Sequence, residues 1–235
     1  MEAAIGNTQS VMELLEKGES ISEKSYRGWT ALHYAAQGGQ EGVVDLLLTK
    51  GAEINARGNR GETALTVATY YCHRWVVRTL LEKGANVANK FKTNNGLWLA
   101  PIFNASGNGC DPTILKYLLN AGADPNETEP GYGYSPLMFS ANIKDPQTSE
   151  LLLSTGAEVN HQANDGSTAL IVAAWNGNKE VAHLLLAAGA DTTIRASQKG
   201  GPLHKGLEPA DTALSVARRR GHNEIVAMLE DVEKR

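Results

Sequence analysis

Apolar residues recur along this chain at helical spacing, in short blocks that come in pairs. One pair runs from Leu32 through Ala35 and Ala36, breaks at Gly38-Gly39, resumes at Val43, Val44, Leu46 and Leu47, and stops at Gly51. The order returns 33 residues on, where Gly61-Glu62-Thr63-Ala64-Leu65 leads to Leu80-Leu81-Glu82-Lys83-Gly84-Ala85. It returns again where Gly166-Ser167-Thr168-Ala169-Leu170 leads to Leu184-Leu185-Leu186-Ala187-Ala188-Gly189-Ala190. A period of this length sets the architecture before any local motif does.

Each element has a local cause. Thr30, Thr63, Ser135, Thr168 and Thr212 stand where a hydroxyl can cap the orphan backbone donors of a short first helix. Pro101 and Pro136 follow such starts at the first helical position, where a missing N–H costs nothing. Asp111-Pro112 and Asp145-Pro146 mark the starts of two second helices in the same way. The second helices end at Gly18, Gly51, Gly84, Gly122, Gly156 and Gly189, spaced by 33, 33, 38, 34 and 33 residues. Glycine takes the left-handed conformation past a helix end without steric penalty. About seven units follow over residues 1–235, read as a single domain. The first is truncated, with Glu2 to Asn7 entering in mid-helix. Extra residues near 89–99 lengthen one connection, and a Gly- and Lys-rich insertion near 196–209 is expected to be mobile.

Gly-x-Thr-Ala-Leu, Leu-Leu and Gly-Ala recurring in phase resemble ankyrin repeats, over nearly the whole chain. The resemblance implies an all-α solenoid of stacked helix–turn–helix ankyrin repeats joined by short β-hairpin fingers, with fingers and first helices forming a concave binding face.

Composition then narrows the function. Net charge is -4, which disfavours nucleic acid and acidic membrane surfaces. No apolar run is long enough to span a membrane. Two cysteines, Cys72 and Cys110, do not make a disulfide framework, and a reducing compartment is the simplest reading. The expected location is therefore cytoplasmic, with the nucleus left open, and the expected state is a monomer. The six histidines are scattered, no Cys/His spacing matches a zinc site, and no phosphate loop occurs. No enzyme activity, metal or cofactor is expected. In the family His33 resembles a structural link between finger and helix. Arg218-Arg219-Arg220 ends a first helix, where cations complement the helix dipole.

Eight of the 14 aromatic residues map to groove-facing repeat positions: Tyr26, Trp29, Tyr70, Tyr71, Trp98, Tyr132, Tyr134 and Trp175. Arg27 and Arg60 stand beside them at finger tips. Interfaces concentrate their energy in Trp, Tyr and Arg. The expected function is a non-catalytic scaffold that binds a protein partner on this face. The alternative is an aromatic cage for methylated lysine or another quaternary ammonium, built from Tyr70, Tyr71 and Trp98 near Glu62 or Asp111. Asn55, Asn126 and Asn160 each follow a Leu by eight residues, which resembles the family's asparagine hydroxylation pattern. The competing reading is an asparagine that holds a tight turn.

Overall fold

The computed structural model describes residues 8–234, so the expected mid-helix entry at Glu2 to Asn7 lies outside the described residues. The described residues form thirteen α-helices and one two-stranded hairpin. The chain divides into two compact units, Met1–Ala123 and Asp124–Arg235.

Unit 1 opens with α1 (Thr8–Glu16) and continues with three helix pairs. These are α2 (Ala31–Gln37) with α3 (Glu41–Thr49), α4 (Ala64–Tyr70) with α5 (Arg74–Glu82), and α6 (Pro101–Gly107) with α7 (Pro112–Asn120). First helices stack on first helices, α2 on α4 on α6, and second helices on second helices, α3 on α5 on α7. Fully buried Ala35, Ala36 and Ala68 let the first helices approach closely. Val43, Val44 and Leu47 on α3 recur as Val76, Val77 and Leu80 on α5, and as Ile114, Leu115 and Leu118 on α7, all buried. Each such side chain contributes about 1.5–3 kcal/mol on leaving water, so this repeated stripe dominates the stability of the stack.

Unit 2 repeats the scheme with α8 (Pro136–Ala141) and α9 (Pro146–Ser154), α10 (Ala169–Asn176) and α11 (Lys179–Ala187), and α12 (Ala213–Arg220) and α13 (Asn223–Glu233). Four of the five expected hydroxyl caps form, and at the fifth the Thr30 hydroxyl lies 3.0 Å from His33 Nδ1 instead of accepting from the helix backbone. Thr63, Ser135, Thr168 and Thr212 accept from the backbone N–H of Thr66, Met138, Ile171 and Ser215. Asp111 and Asp145 accept from Thr113 and Gln147.

Fingers are tied to one another and to helices. Asn59 N–H donates to Arg27 O at 2.9 Å, Lys92 N–H to Arg60 O at 2.8 Å, and Asn164 N–H to Tyr132 O at 2.9 Å. His33 accepts from Thr30 N–H through Nδ1 and donates from Nε2 to Glu62 O at 3.0 Å. Burial lowers its pKa, which suits the neutral ring that this bonding pattern requires. The longer third finger of unit 1 forms the hairpin, β1 (Phe91–Lys92) against β2 (Trp98–Leu99), with Phe91 opposite Leu99 and Lys92 opposite Trp98.

Two expectations are corrected. The insertion near 196–209 is packed onto unit 2: Ala196, His204 and Leu207 are buried, and Ser197 N–H donates to Asp165 O at 2.7 Å. The lone-cysteine reading also fails, because Cys72 and Cys110 form a disulfide across 38 residues. Cys72 takes φ 59° at the inter-helix position where other units place Gly39, Gly109, Gly177 and Gly221. That conformation costs a non-glycine residue about 1–2 kcal/mol, while closing a loop of this length contributes about 4 kcal/mol. The bond outweighs the strain. Disulfides persist in oxidising surroundings, so the cysteines cease to argue for a reducing compartment.

Candidate interaction surface

The aromatic positions singled out in the sequence separate into exposed and buried groups. In unit 1, Tyr26 on the first finger is 84% exposed, Tyr70 and Tyr71 at the end of α4 are 53% and 44% exposed, and Trp98 on β2 is 41% exposed. Tyr70 and Tyr71 meet edge-on with ring centroids 5.2 Å apart. Tyr71 also stacks on His73 and accepts from Gln37 Nε2 at 3.0 Å, so part of the pair is already engaged. Arg27 lies 5.5 Å from the Tyr26 ring and donates to its hydroxyl. Arg60 donates to Asn94 Oδ1.

Trp29 is the exception in unit 1 and corrects its groove-facing placement: it is only 7% exposed. Its ring stacks on His33, meets Tyr34 edge-on, and lines an apolar groove with Val11, Leu15 and Ile21. The residue before the Thr-Ala-Leu start therefore packs under the finger. Conversely, Trp75, outside the groove-facing set, is 47% exposed on α5 with Arg74 stacked 4.4 Å above it. Its neighbours Val76, Val77 and Leu80 define the buried stripe of α5, and Trp75 falls off that stripe. A helical projection of α5 carries that signal.

In unit 2, Tyr132 is 40% exposed, while Tyr134 is fully buried, which corrects its groove-facing placement as well. The insertion covers it. Tyr134 packs edge-on against His204, with centroids 5.8 Å apart, and stacks with Tyr132 at 5.5 Å. Beneath it, Asp165 accepts from His204 Nε2 at 2.9 Å and from Ser167 Oγ at 2.6 Å and N–H at 3.0 Å. Burial pushes the Asp165 carboxyl up, but the hydrogen bonds from His204 and Ser167 outweigh it and hold the group well below the usual carboxylate range. Burial likewise pushes the Tyr134 phenol up. Trp175 is half-buried, with the Arg220 guanidinium 4.6 Å from its ring.

The remaining candidates have structural partners. Arg218 pairs with Glu230 at 2.7 Å, Arg219 grips Asp211 with two bonds, and Arg220 donates to Trp175 O. The finger asparagines staple each finger to the next. Asn55 Oδ1 accepts from Asn86 N–H, Asn126 bridges Gly156 O and Glu158 N–H, and Asn160 bridges Gly189 O and Asp191 N–H. Among the described residues no helix is long and apolar enough to cross a membrane.

Comparison with known proteins places this geometry. The family model described as "Ankyrin repeats (3 copies)" matches residues 1–90 and 102–196. A putative ankyrin repeat protein of fowlpox virus is 35% identical over 96 residues, 40% of this chain but only 28% of that protein. The crystal structure of the human ASB11 ankyrin repeat domain superposes with a TM-score of 0.81 at 25% identity, covering 97% of this chain and 95% of that one. A chain from the complex of the predatory endopeptidase Bd0816 of Bdellovibrio bacteriovorus with immunity protein Bd3460 matches with a TM-score of 0.72 at 26% identity. It covers 79% of this chain and 95% of that one. Ankyrin repeats are general protein–protein interaction modules, and proteins of this type are typically non-enzymatic. The repeat period, the finger ladder and the family match agree, and the chain belongs to the ankyrin repeat family.

Proposed function

We propose that this chain is a non-catalytic, monomeric module that binds a protein partner through the finger and inter-helix-turn surface of unit 1. One observation carries the reading. Tyr26, Tyr70, Tyr71 and Trp98 stand 41–84% exposed while the Leu, Val and Ala stripes of the same unit are buried. Large amphipathic rings left in water on rigid elements supply contact area at low entropic cost, and interfaces draw their energy from them. Arg27 and Arg60 beside them provide directional donors. Tyr132 and Trp175 give unit 2 a smaller surface of the same kind. The endopeptidase–immunity complex supports a whole protein as the partner of such a fold.

The methyl-lysine cage is the weaker reading, since Tyr71 already stacks on His73 and bonds Gln37. The cytoplasmic expectation also yields to a second reading: the Cys72–Cys110 bond favours an oxidising compartment.

The test is affinity capture from the source proteome, followed by a purified binding assay of the captured partner. The triple variant Tyr26→Ala/Tyr70→Ala/Trp98→Ala is compared with wild type after circular dichroism confirms that both fold. Binding weakened by about 30-fold or more, the loss of a hot spot worth about 2 kcal/mol, supports the proposal. Undiminished binding by the folded triple variant overturns it.

A further inference from the structure

Charge is distributed unevenly between fingers and helices in unit 1. On the second helices and the turn ahead of α7, three cations find carboxylates, Arg74 with Asp111, Arg78 with Glu82 and Lys83 with Asp45, while Lys50 and Lys116 have none within ion-pair distance among the described residues. Four finger cations do not. Arg27, Arg57, Arg60 and Lys92 have no carboxylate within ion-pair distance among the described residues. Arg57 donates instead to Asn89 Oδ1 at 2.6 Å, Arg60 to Asn94 Oδ1, and Arg27 to the Tyr26 hydroxyl. The acids on the fingers that carry Arg27, Arg57 and Arg60 are Glu19, Glu23, Glu53 and Glu62. Glu62 spends one oxygen on Arg60 N–H at 2.9 Å.

The same fingers fix where the cations stand. The backbone bonds from Asn59 to Arg27 and from Lys92 to Arg60 hold three successive tips in register, so Arg27, Arg60 and Lys92 form a row. Tyr26 adjoins the first member, and Trp98 is the cross-strand partner of the last. A row of unneutralised cations flanked by exposed rings is complementary to a carboxylate-bearing chain. Guanidinium groups bind carboxylates through paired N–H donors, and their charge steers the encounter.

We infer that the finger row of unit 1 is the docking site for an acidic segment of a protein partner, its carboxylates meeting Arg27, Arg60 and Lys92 and its apolar side chains meeting Tyr26 and Trp98. This rests on the protein-binding function proposed above and specifies the chemistry of the partner. A polynucleotide is the less suitable polyanion, because the chain as a whole carries a net charge of -4.

Fluorescence anisotropy tests the inference on the full chain. The probes are a labelled Glu/Asp-rich peptide containing one Trp, its Gln/Asn counterpart, and a single-stranded oligonucleotide of equal charge. The expected result is binding of the acidic peptide alone at low salt, weakened by added salt. Arg27→Gln/Arg60→Gln/Lys92→Gln should weaken it by about tenfold or more, while Arg78→Gln leaves it unchanged. Arg27→Glu/Arg60→Glu should transfer binding to a Lys-rich peptide. Equal binding of the acidic peptide by wild type and the Gln triple variant overturns the inference, as does tighter binding of the oligonucleotide. A dimer in light scattering that the Gln triple variant abolishes also overturns it, by making a second copy of this chain the occupant. The natural partner separates the two proposals. If Tyr26→Ala/Tyr70→Ala/Trp98→Ala releases it and the Gln triple variant does not, the binding module stands and the acidic segment falls.

Discussion

The two units are built from one repeat but differ in how they are braced and how they are charged. Unit 1 is cross-linked covalently, with Cys72 in one inter-helix turn joined to Cys110 in the next. Unit 2 has no cysteine. Its brace is a buried polar cluster, in which the long insertion delivers His204 onto Asp165 beneath Tyr134. The first two fingers of unit 2 carry Asp124, Glu127, Glu129, Glu158 and Asp165 and no Lys or Arg, whereas those of unit 1 carry Lys24, Arg27, Arg57 and Arg60. The repeat fixes the stack, and the positions outside its pattern decide both the brace and the face offered to a partner. Brace and recognition can therefore be broken separately.

The largest effect is expected in unit 2. His204→Ala leaves the Asp165 carboxylate buried without its main donor and opens a cavity where a fully buried ring stood. A loss of about 5 kcal/mol is expected, read as an early melting step whose hydrogen exchange maps to residues 124–235. Exchange rising equally in unit 1 would argue that the cluster braces the whole chain.

Reduction of Cys72–Cys110 comes next, at about 4 kcal/mol for a loop of 38 residues, confined to residues 1–123. Cys72→Gly sharpens this by its sign. Under oxidising conditions it removes the cross-link and should destabilise the protein. Under reducing conditions it only relieves the positive φ at residue 72 and should stabilise by about 1 kcal/mol. Stabilisation of equal size under both conditions would mean that the bond contributes nothing.

Acid titration should separate the units by pH. In unit 1 burial lowers the His33 pKa, so the unfolded chain takes up a proton that the fold resists. That stability is present above the ordinary histidine pKa of about 6.5 and falls as pH drops below it. In unit 2 the depressed Asp165 carboxyl contributes stability that is full above about pH 4 and is lost on further acidification. His33→Gln should flatten the first window in denaturant melts without altering the second.

The smallest effect on stability is expected from the finger cations. The Arg27→Gln/Arg60→Gln/Lys92→Gln variant should melt within about 0.5 kcal/mol of wild type, even though binding changes. A large destabilisation would make the row a structural element.

Most of the fold is legible in the sequence because it is periodic. Thr63, Thr168 and Thr212 cap helices, and Val43, Val44 and Leu47 are buried, for reasons visible in any one unit. Tyr26, Tyr70, Tyr71 and Trp98 stand out because they depart from the period, and all four are exposed. What escapes the sequence depends on contacts between units of the repeat or on irregular chain. Trp29 and Tyr134 occupy equivalent positions before a helix start, and both are buried, one beside an apolar groove and one under the insertion. Nothing local to the insertion reports that His204 meets Asp165, 39 residues away. Cys72 and Cys110 look isolated because their proximity arises from stacking α4 and α6 rather than from spacing.

The central claim is that unit 1 presents the partner-binding face. Hydrogen-exchange footprinting of the captured partner on the full chain tests it most directly. Protection should fall on residues 24–29, 57–62 and 70–75 and on the β1–β2 hairpin. Protection confined to the second helices, or to the acidic fingers of unit 2, would contradict it.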